Sequence, residues 1–268
     1  MHIHFLDPYQ FRLSPIHQLD ARVKFVLAIA FILTTAIVPP GAWPVYILLL
    51  AVILAVDILS ELGMGYILRR SALALPFVLA AIPVIFTISG PALFSLEIGP
   101  WTLTATQAGV ERLISIGLKS WISVQAAIVL AASTPFPDLM AAMRAVKVPR
   151  LLVAVFGLMW RYLFVMADEA LRLIRARASR SGHSDNPGMK PGGSLAWRGR
   201  VAGGMAGSLF LRAIERSDRI YIAMVARGYN GEVRTFSLPR LRPLDWLILS
   251  VSLLLLFALL IAGLLLFG

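Results

Sequence analysis

Two arginine-tipped segments carry the side chains best suited to directional chemistry. The first reads Arg175-Ala176-Arg177-Ala178-Ser179-Arg180-Ser181-Gly182, and the second Met224-Val225-Ala226-Arg227-Gly228-Tyr229. A guanidinium is a planar fork of donors that matches a carboxylate, so an Arg fixed at a helix end makes a directional, charge-assisted contact. Helix C-capping and the macrodipole also produce Arg in a last turn followed by Gly. Two such tips on successive helices point further, to a pair of forks offered to a soluble partner.

A second group lies within an apolar run. Glu111, Arg112, Lys119 and Gln125 share one segment, with Arg112 and Lys119 seven apart on one face and Glu111, Ser115 and Lys119 stepping by four on the adjoining one. Ionisable groups at membrane depth face protein or water, so the functional reading is a polar surface toward a membrane partner. The plain alternative puts Glu111 and Arg112 at the outer interface, with Lys119 snorkelling or paired to Glu111. His2, His4 and Asp7 invite a metal site, but alternating residues at a chain terminus are weak evidence for one, and ligation also needs an outer shell of supporting bonds. Cysteine is absent, and no phosphate loop, HExxH, GxSxG or dinucleotide fingerprint occurs. Asp57 stands alone in its span. No catalytic set, metal site or cofactor is expected.

The elements that hold these groups are membrane helices. The chain of 268 residues is 59% hydrophobic and only 15% charged, against about 25% charged in soluble domains. Apolar runs at Val23–Val38, Pro44–Leu59, Ala72–Ser89, about Ala105–Ala132 and Leu244–Phe267 predict five spans. Pro76 and Pro83 predict kinks in the third. Val23–Val38 ends in Pro39-Pro40-Gly41 rather than a small-residue cleavage site, so it reads as a retained helix and not a signal peptide.

Charge sets the orientation. The segments Pro39–Trp43 and Gly90–Leu103 read as loops without Lys or Arg, while Arg12, Arg22, Lys24, Arg69 and Arg70 lie on the other side. Eighteen of the 25 basic residues fall between Arg144 and Arg242. The pattern predicts a multi-pass protein of the bacterial inner (plasma) membrane, N-terminus cytoplasmic and C-terminus outside. Because the net charge of +11 tracks topology and no aromatic platform accompanies it, nucleic acid is not the partner.

Residues 134–243 are too long for an unstructured loop. They resolve into helices over Pro137–Val146, Arg150–Arg180 and Gly207–Arg227, with a Gly/Pro/Ser-rich break at Ser181–Gly193. Gly203-Gly204-Met205-Ala206-Gly207 reads as a bend or helix entry. In the last helix Phe210, Ile214, Ser217, Tyr221, Met224 and Gly228 form one stripe, and Glu215 with Arg219 makes an i,i+4 pair off it. The expected organisation is residues 1–133 as a four-span membrane region, 134–243 as a cytoplasmic module of amphipathic helices, and 244–268 as the last span. The fold class is all-α and polytopic.

Ala226-Arg227-Gly228, preceded by Leu211-Arg212-Ala213-Ile214-Glu215-Arg216-Ser217-Asp218-Arg219 and followed by Tyr229-Asn230-Gly231-Glu232, resembles the T component of energy-coupling-factor transporters. The resemblance is closest to the CbiQ branch associated with cobalt and nickel uptake. It extends to Ser133-Thr134-Pro135-Phe136-Pro137-Asp138-Leu139 with Val148-Pro149-Arg150, and to Ser14-Pro15-Ile16-His17 with Asp20-Ala21-Arg22-Val23-Lys24. It implies a non-catalytic membrane scaffold bound to two ABC ATPase subunits and one CbiM-like substrate-binding S component. It also implies that two Ala-Arg-Gly/Ser motifs dock into grooves of the ATPases. Arg227 with Ala226 and Gly228 carries the second motif; the first falls on Arg177 or on Arg180 with Ser181, the latter favoured by the small residues that follow. Apart from the resemblance, Glu111, Arg112 and Lys119 are the candidate contacts for the S component, set against the interfacial and snorkelling alternative given above.

The expected function is therefore the coupling subunit of an ATP-driven importer, for cobalt first, nickel next, or a vitamin such as biotin. The competing class is a stand-alone secondary carrier, for which internal repeats and mid-membrane polar groups in several spans are expected. No repeat occurs here, and the polar groups concentrate in one span.

Overall fold

The computed structural model of the chain describes residues 8–98, 101–180, 194–231 and 241–267. In chain order the elements are α1 (Pro15–Gln18), α2 (Ala21–Ile37), α3 (Trp43–Leu59), α4 (Met64–Ser71), α5 (Leu75–Ala81), α6 (Val84–Thr87), β1 (Ala92–Ile98) and β2 (Trp101–Thr106). Then follow α7 (Gln107–Ser133), α8 (Phe136–Ala145), α9 (Arg150–Arg180), α10 (Leu195–Ala226) and α11 (Pro243–Phe267). They fall into two compact units, one built from His4–Val146 and Leu238–Gly268, the other chiefly from Lys147–Ser237.

The first unit is a helical bundle organised around α7, which packs on α2, α3, α4, α5 and α6. Its 27 residues reach about 40 Å at 1.5 Å per residue, more than a bilayer's apolar thickness of about 30 Å. Thr106 starts this helix, its Oγ1 accepting from Gly109 N–H at 3.1 Å. Gly109 also lets α6 lie directly on α7, because a Cβ there would sit 2.5 Å from the Ile85 carbonyl oxygen. The core joins Phe31 of α2, Tyr46, Leu49 and Ile53 of α3, Ile122 and Ala126 of α7 and Leu256 of α11.

Outward faces are apolar too. Leu33, Leu48, Phe77, Leu79, Leu254 and Phe257 are all exposed, which is stable only where lipid replaces water. Four helical stretches are long and apolar enough to cross a membrane, Met64–Thr87, Gln107–Ser133, Arg150–Arg180 and Pro243–Phe267, with the shorter apolar Trp43–Leu59 beside them. This is an all-α, multi-pass membrane protein. Arg150–Arg180 joins that group because the first half of α9 is as apolar as a span, although its second half is charged.

Different segments of the chain meet at the two ends of the bundle. At one end Gln10 N–H donates to the Ala132 carbonyl at 2.9 Å and Tyr66 Oη to the Pro8 carbonyl at 3.5 Å. At the other, Gly41 N–H donates to Ser115 Oγ at 3.3 Å, and Gly263 of α11 lies against Val38 and Val45. The basic N-terminal segment and the end of α11 thus sit at opposite ends.

Three sequence expectations need correction. Gly90–Leu103 is not a plain loop, since β1 and β2 pair antiparallel over Ala92–Thr106. The third span starts earlier, at Met64, and its helix contains Arg69 and Arg70; Pro76 opens α5 and Pro83 precedes α6, so the prolines break it as expected. Helix α10 begins at Leu195, not Gly207. Ser194 Oγ caps it by accepting from Trp197 N–H at 3.3 Å, and the helix runs through Gly203, Gly204 and Gly207. A glycine costs a helix only about 1 kcal/mol, less than a good cap and long helical flanks return.

Candidate functional site

The second unit pairs α9 with α10, and both arginine tips belong to it. Ala226 ends α10 and Arg227 is its C-cap residue, at φ −95° and ψ 11°. Gly228 follows at φ +80°, a conformation that suits glycine because it has no Cβ to clash. Two bonds close the turn: Gly228 N–H to the Val225 carbonyl at 2.9 Å and Tyr229 N–H to the Met224 carbonyl at 3.0 Å. The Ala-Arg-Gly sequence therefore makes a doubly closed cap that fixes the Arg227 backbone. Ala226, Arg227 and Gly228 are exposed, and the Arg227 guanidinium has no partner among the described residues.

At the end of α9, Arg180 is the last helical residue and is exposed. Arg177 is half-buried and has a bonding partner. Ser181 lies outside the described residues, as do the Ser181–Gly193 break and the His2, His4 and Asp7 set.

An ion-pair clamp joins the two helices. Glu169 of α9 accepts from Arg212 Nη1 through Oε1 at 3.0 Å and from Arg216 Nη2 through Oε2 at 3.4 Å. Glu169 is largely buried, at 16% side-chain exposure, whereas Arg212 is 56% exposed. Arg180 lies eleven residues beyond Glu169, and Arg227 eleven beyond Arg216. Each tip therefore stands about 16 Å along its helix from the clamp. The expected Glu215–Arg219 pair does not form an ion pair among the described residues. Both side chains are exposed, where water screens so short-range a pair to little value.

The stripe on α10 is also not buried. Phe210 is 65% exposed and Tyr221 61%, so this face is open to a membrane surface or a partner.

In the first unit, Glu111 and Lys119 do not pair with each other. Glu111 Oε1 lies against Gly41, and Lys119 Nζ donates to the Ala36 carbonyl near the end of α2 at 3.0 Å. Lys119 thereby occupies one of the carbonyls a helix end leaves open. Arg112 is exposed. All three lie toward the end of the bundle where α2 ends and α7 begins.

At the opposite end the three N-terminal and mid-chain motifs converge. Asp20 caps α2 by accepting from Arg22 N–H at 2.8 Å. Lys24, 9% exposed, donates from Nζ to the Ser133 carbonyl at 2.9 Å. His17 Nε2–H donates to the Gln10 carbonyl at 2.9 Å, and its Nδ1 accepts from Ser14 Oγ at 2.7 Å. Burial favours this neutral form of the ring, pushing the His17 pKa down from 6.5. Helix α8, which carries the rest of the Ser133–Leu139 motif, packs on α2. Sequence reading found the motifs but neither Lys24 as their tie nor Glu169 as the clamp.

The description that matches this chain, over residues 13–238, is the cobalt transport protein CbiQ. The chain belongs to the CbiQ family. Among its relatives are the cobalt transport proteins CbiQ of Rhodobacter capsulatus, 28% identical and covering 91% of both chains, and of Salmonella typhimurium, 28% identical over 78% of this chain and 90% of that one. The energy-coupling factor transporter transmembrane protein EcfT of Thermosediminibacter oceani is 25% identical over 85% of each. A CbiQ-type chain is the transmembrane component of a transporter, and the match takes in the convergent motifs of the bundle, the clamp and both arginine tips.

Proposed function

We propose that this CbiQ-type chain couples ATP hydrolysis in two ABC ATPase subunits to a substrate-binding membrane subunit, in an importer for cobalt, with nickel next. The observation that carries the proposal is the geometry of α9 and α10. Two exposed arginines, Arg180 and Arg227, stand at equal distances from one ion-pair clamp, and the Arg227 cap is rigid. A motor protein can shift a membrane partner only through contacts that differ between its open and closed states. Fixed guanidinium forks on long helices are suited to take up such a displacement, and a pinned crossing passes it from one helix to the other.

In this reading the exposed apolar faces of α9 and α10 lie on the membrane, with N-terminus and clamp on the cytoplasmic side and the end of α11 outside. Glu111, Arg112 and Lys119 contact the CbiM-like S component, and that subunit selects the cargo. Three features support the orientation: the basic N-terminal segment at one end of the bundle, the Pro39–Trp43 segment without Lys or Arg at the other, and the concentration of arginine in Lys147–Ser237.

Purification of the tagged chain from its own membrane, in mild detergent, tests the reading. Two ATPase chains and one small multi-pass subunit are expected to co-purify. Recovery of the chain alone, under conditions that keep other ABC complexes whole, would make it a stand-alone carrier.

A further inference from the structure

Beside the clamp, α9 and α10 enclose a cavity of about 290 Å³ whose polar lining is Glu169, Arg172, Arg212 and Arg216, with Val165 and Leu173 among its apolar walls. Three guanidiniums face one carboxylate. Glu169 takes a single donor from each of Arg212 and Arg216, and Arg172 has no partner among the described residues. With five N–H donors on each guanidinium, most of the donor capacity remains open, and the charge in the cavity stands two positive units above balance. Phosphate oxygens are the acceptors that planar guanidinium forks match best.

The position along α9 says which phosphate. Leu151, Leu152, Val155, Met159 and Leu163 are exposed and apolar, and between Arg150 and Asp168 the only charged residue is Arg161. From Asp168 onward the helix is charged. The cavity opens where the lipid-facing part of α9 gives way to its charged part, which is the level of phospholipid headgroups. Basic pockets between helices at that level bind anionic headgroups.

We infer that the Arg172–Arg212–Arg216 cavity binds the phosphate of an anionic phospholipid, with Val165 and Leu173 against its glycerol and upper acyl carbons. The inference does not depend on the ATPase partners and needs only that the chain is membrane-embedded.

The test uses the full chain in nanodiscs of phosphatidylcholine with and without phosphatidylglycerol, and counts retained lipid by native mass spectrometry. The wild type is expected to keep phosphatidylglycerol, and Arg172→Gln to hold it at least roughly fivefold more weakly, the worth of one interfacial cation. Because Arg172 takes no part in the clamp, its loss leaves the helix pair intact. Glu169→Gln removes the competing carboxylate and is expected to tighten retention. Arg219→Gln, on exposed surface outside the cavity, is expected to change nothing. Equal losses in Arg172→Gln and Arg219→Gln would mean diffuse surface attraction and overturn the site. Inorganic phosphate that displaces phosphatidylglycerol completely at matched concentration would show a free-anion site and overturn the lipid assignment.

Discussion

Lys24 Nζ donates to the Ser133 carbonyl at 2.9 Å across 109 residues of sequence, deep in the bundle. The bond ties the first turn of α2 to the last residue of α7, and so links the Asp20–Lys24 segment to the Ser133–Leu139 segment. A charge-assisted bond to a buried carbonyl contributes about 1.5–3 kcal/mol, and losing it leaves that carbonyl bare. Lys24→Met is expected to lower the unfolding midpoint in detergent by an amount equivalent to about 2 kcal/mol. Lys24→Arg is expected to recover part of the loss. An unchanged midpoint in Lys24→Met would show that the bond carries no weight.

His17 gives the same region a pH dependence. Its neutral ring bridges Ser14 and Gln10, and burial holds its pKa below 6.5. The unfolded chain therefore binds a proton first as pH falls. Stability is full above about pH 6.5 and declines as pH drops toward the folded value. Thermal melts from roughly pH 7.5 down to 5 should show a steeper decline for the wild type than for His17→Gln. Parallel curves would remove His17 from the account.

Asp57 is 3% exposed, and neither of its carboxyl oxygens has a hydrogen-bond partner among the described residues. Burial of an ionisable group without a partner costs stability. Asp57→Asn, nearly equal in shape and with no charge to bury, is expected to raise the unfolding midpoint by an amount equivalent to about 1–2 kcal/mol. A fall instead would mean that the carboxyl makes an interaction its surroundings in this structure do not account for.

The Glu169 clamp is the part of the account that separates stability from coupling. Glu169→Gln weakens the bonds to Arg212 and Arg216 without removing the side chain. Substrate-stimulated ATPase activity of the whole transporter is expected to fall several-fold, while the bundle's melting temperature and the amount of ATPase that co-purifies stay unchanged. Loss of ATPase association would instead give Glu169 a place in the docking surface.

How much of this was legible in the sequence depended on the range of the interaction. The limits of α9 could be read from Val148-Pro149 before it and the basic run at its end. The kinked third span could be read from Pro76 and Pro83, because proline acts on its own backbone. The hairpin of β1 and β2 is not legible in the same way, although Phe94, Leu96 and Ile98 alternate with Ser95 and Glu97, since a connection between spans without Lys or Arg reads as a loop by default. Gly203 and Gly204 read locally as a bend, but the long helical flanks on both sides, together with the Ser194 cap, carry α10 through them. For Glu169 the local pattern offered Glu215–Arg219, four residues apart, whereas the partners that form are 43 and 47 residues away. The Lys24 bond ends on a backbone carbonyl, which no side-chain motif records. At the tips, the Arg-Gly ending of α10 was visible from the start, but its double closure depends on backbone angles that residue types only permit.

In the proposed coupling, Arg180 and Arg227 transmit ATPase motion to the membrane bundle. Its most direct test is a paired measurement on Arg180→Ala, Arg227→Ala and the double variant in the intact transporter: ATPase subunits retained per chain, and cobalt taken up by the cells. Each single variant is expected to lose uptake, the double variant to lose the ATPases as well, and all three bundles to melt with the wild type. Wild-type uptake and full ATPase retention in the double variant would contradict the coupling, and would leave Arg227 as the cap of a helix and nothing more.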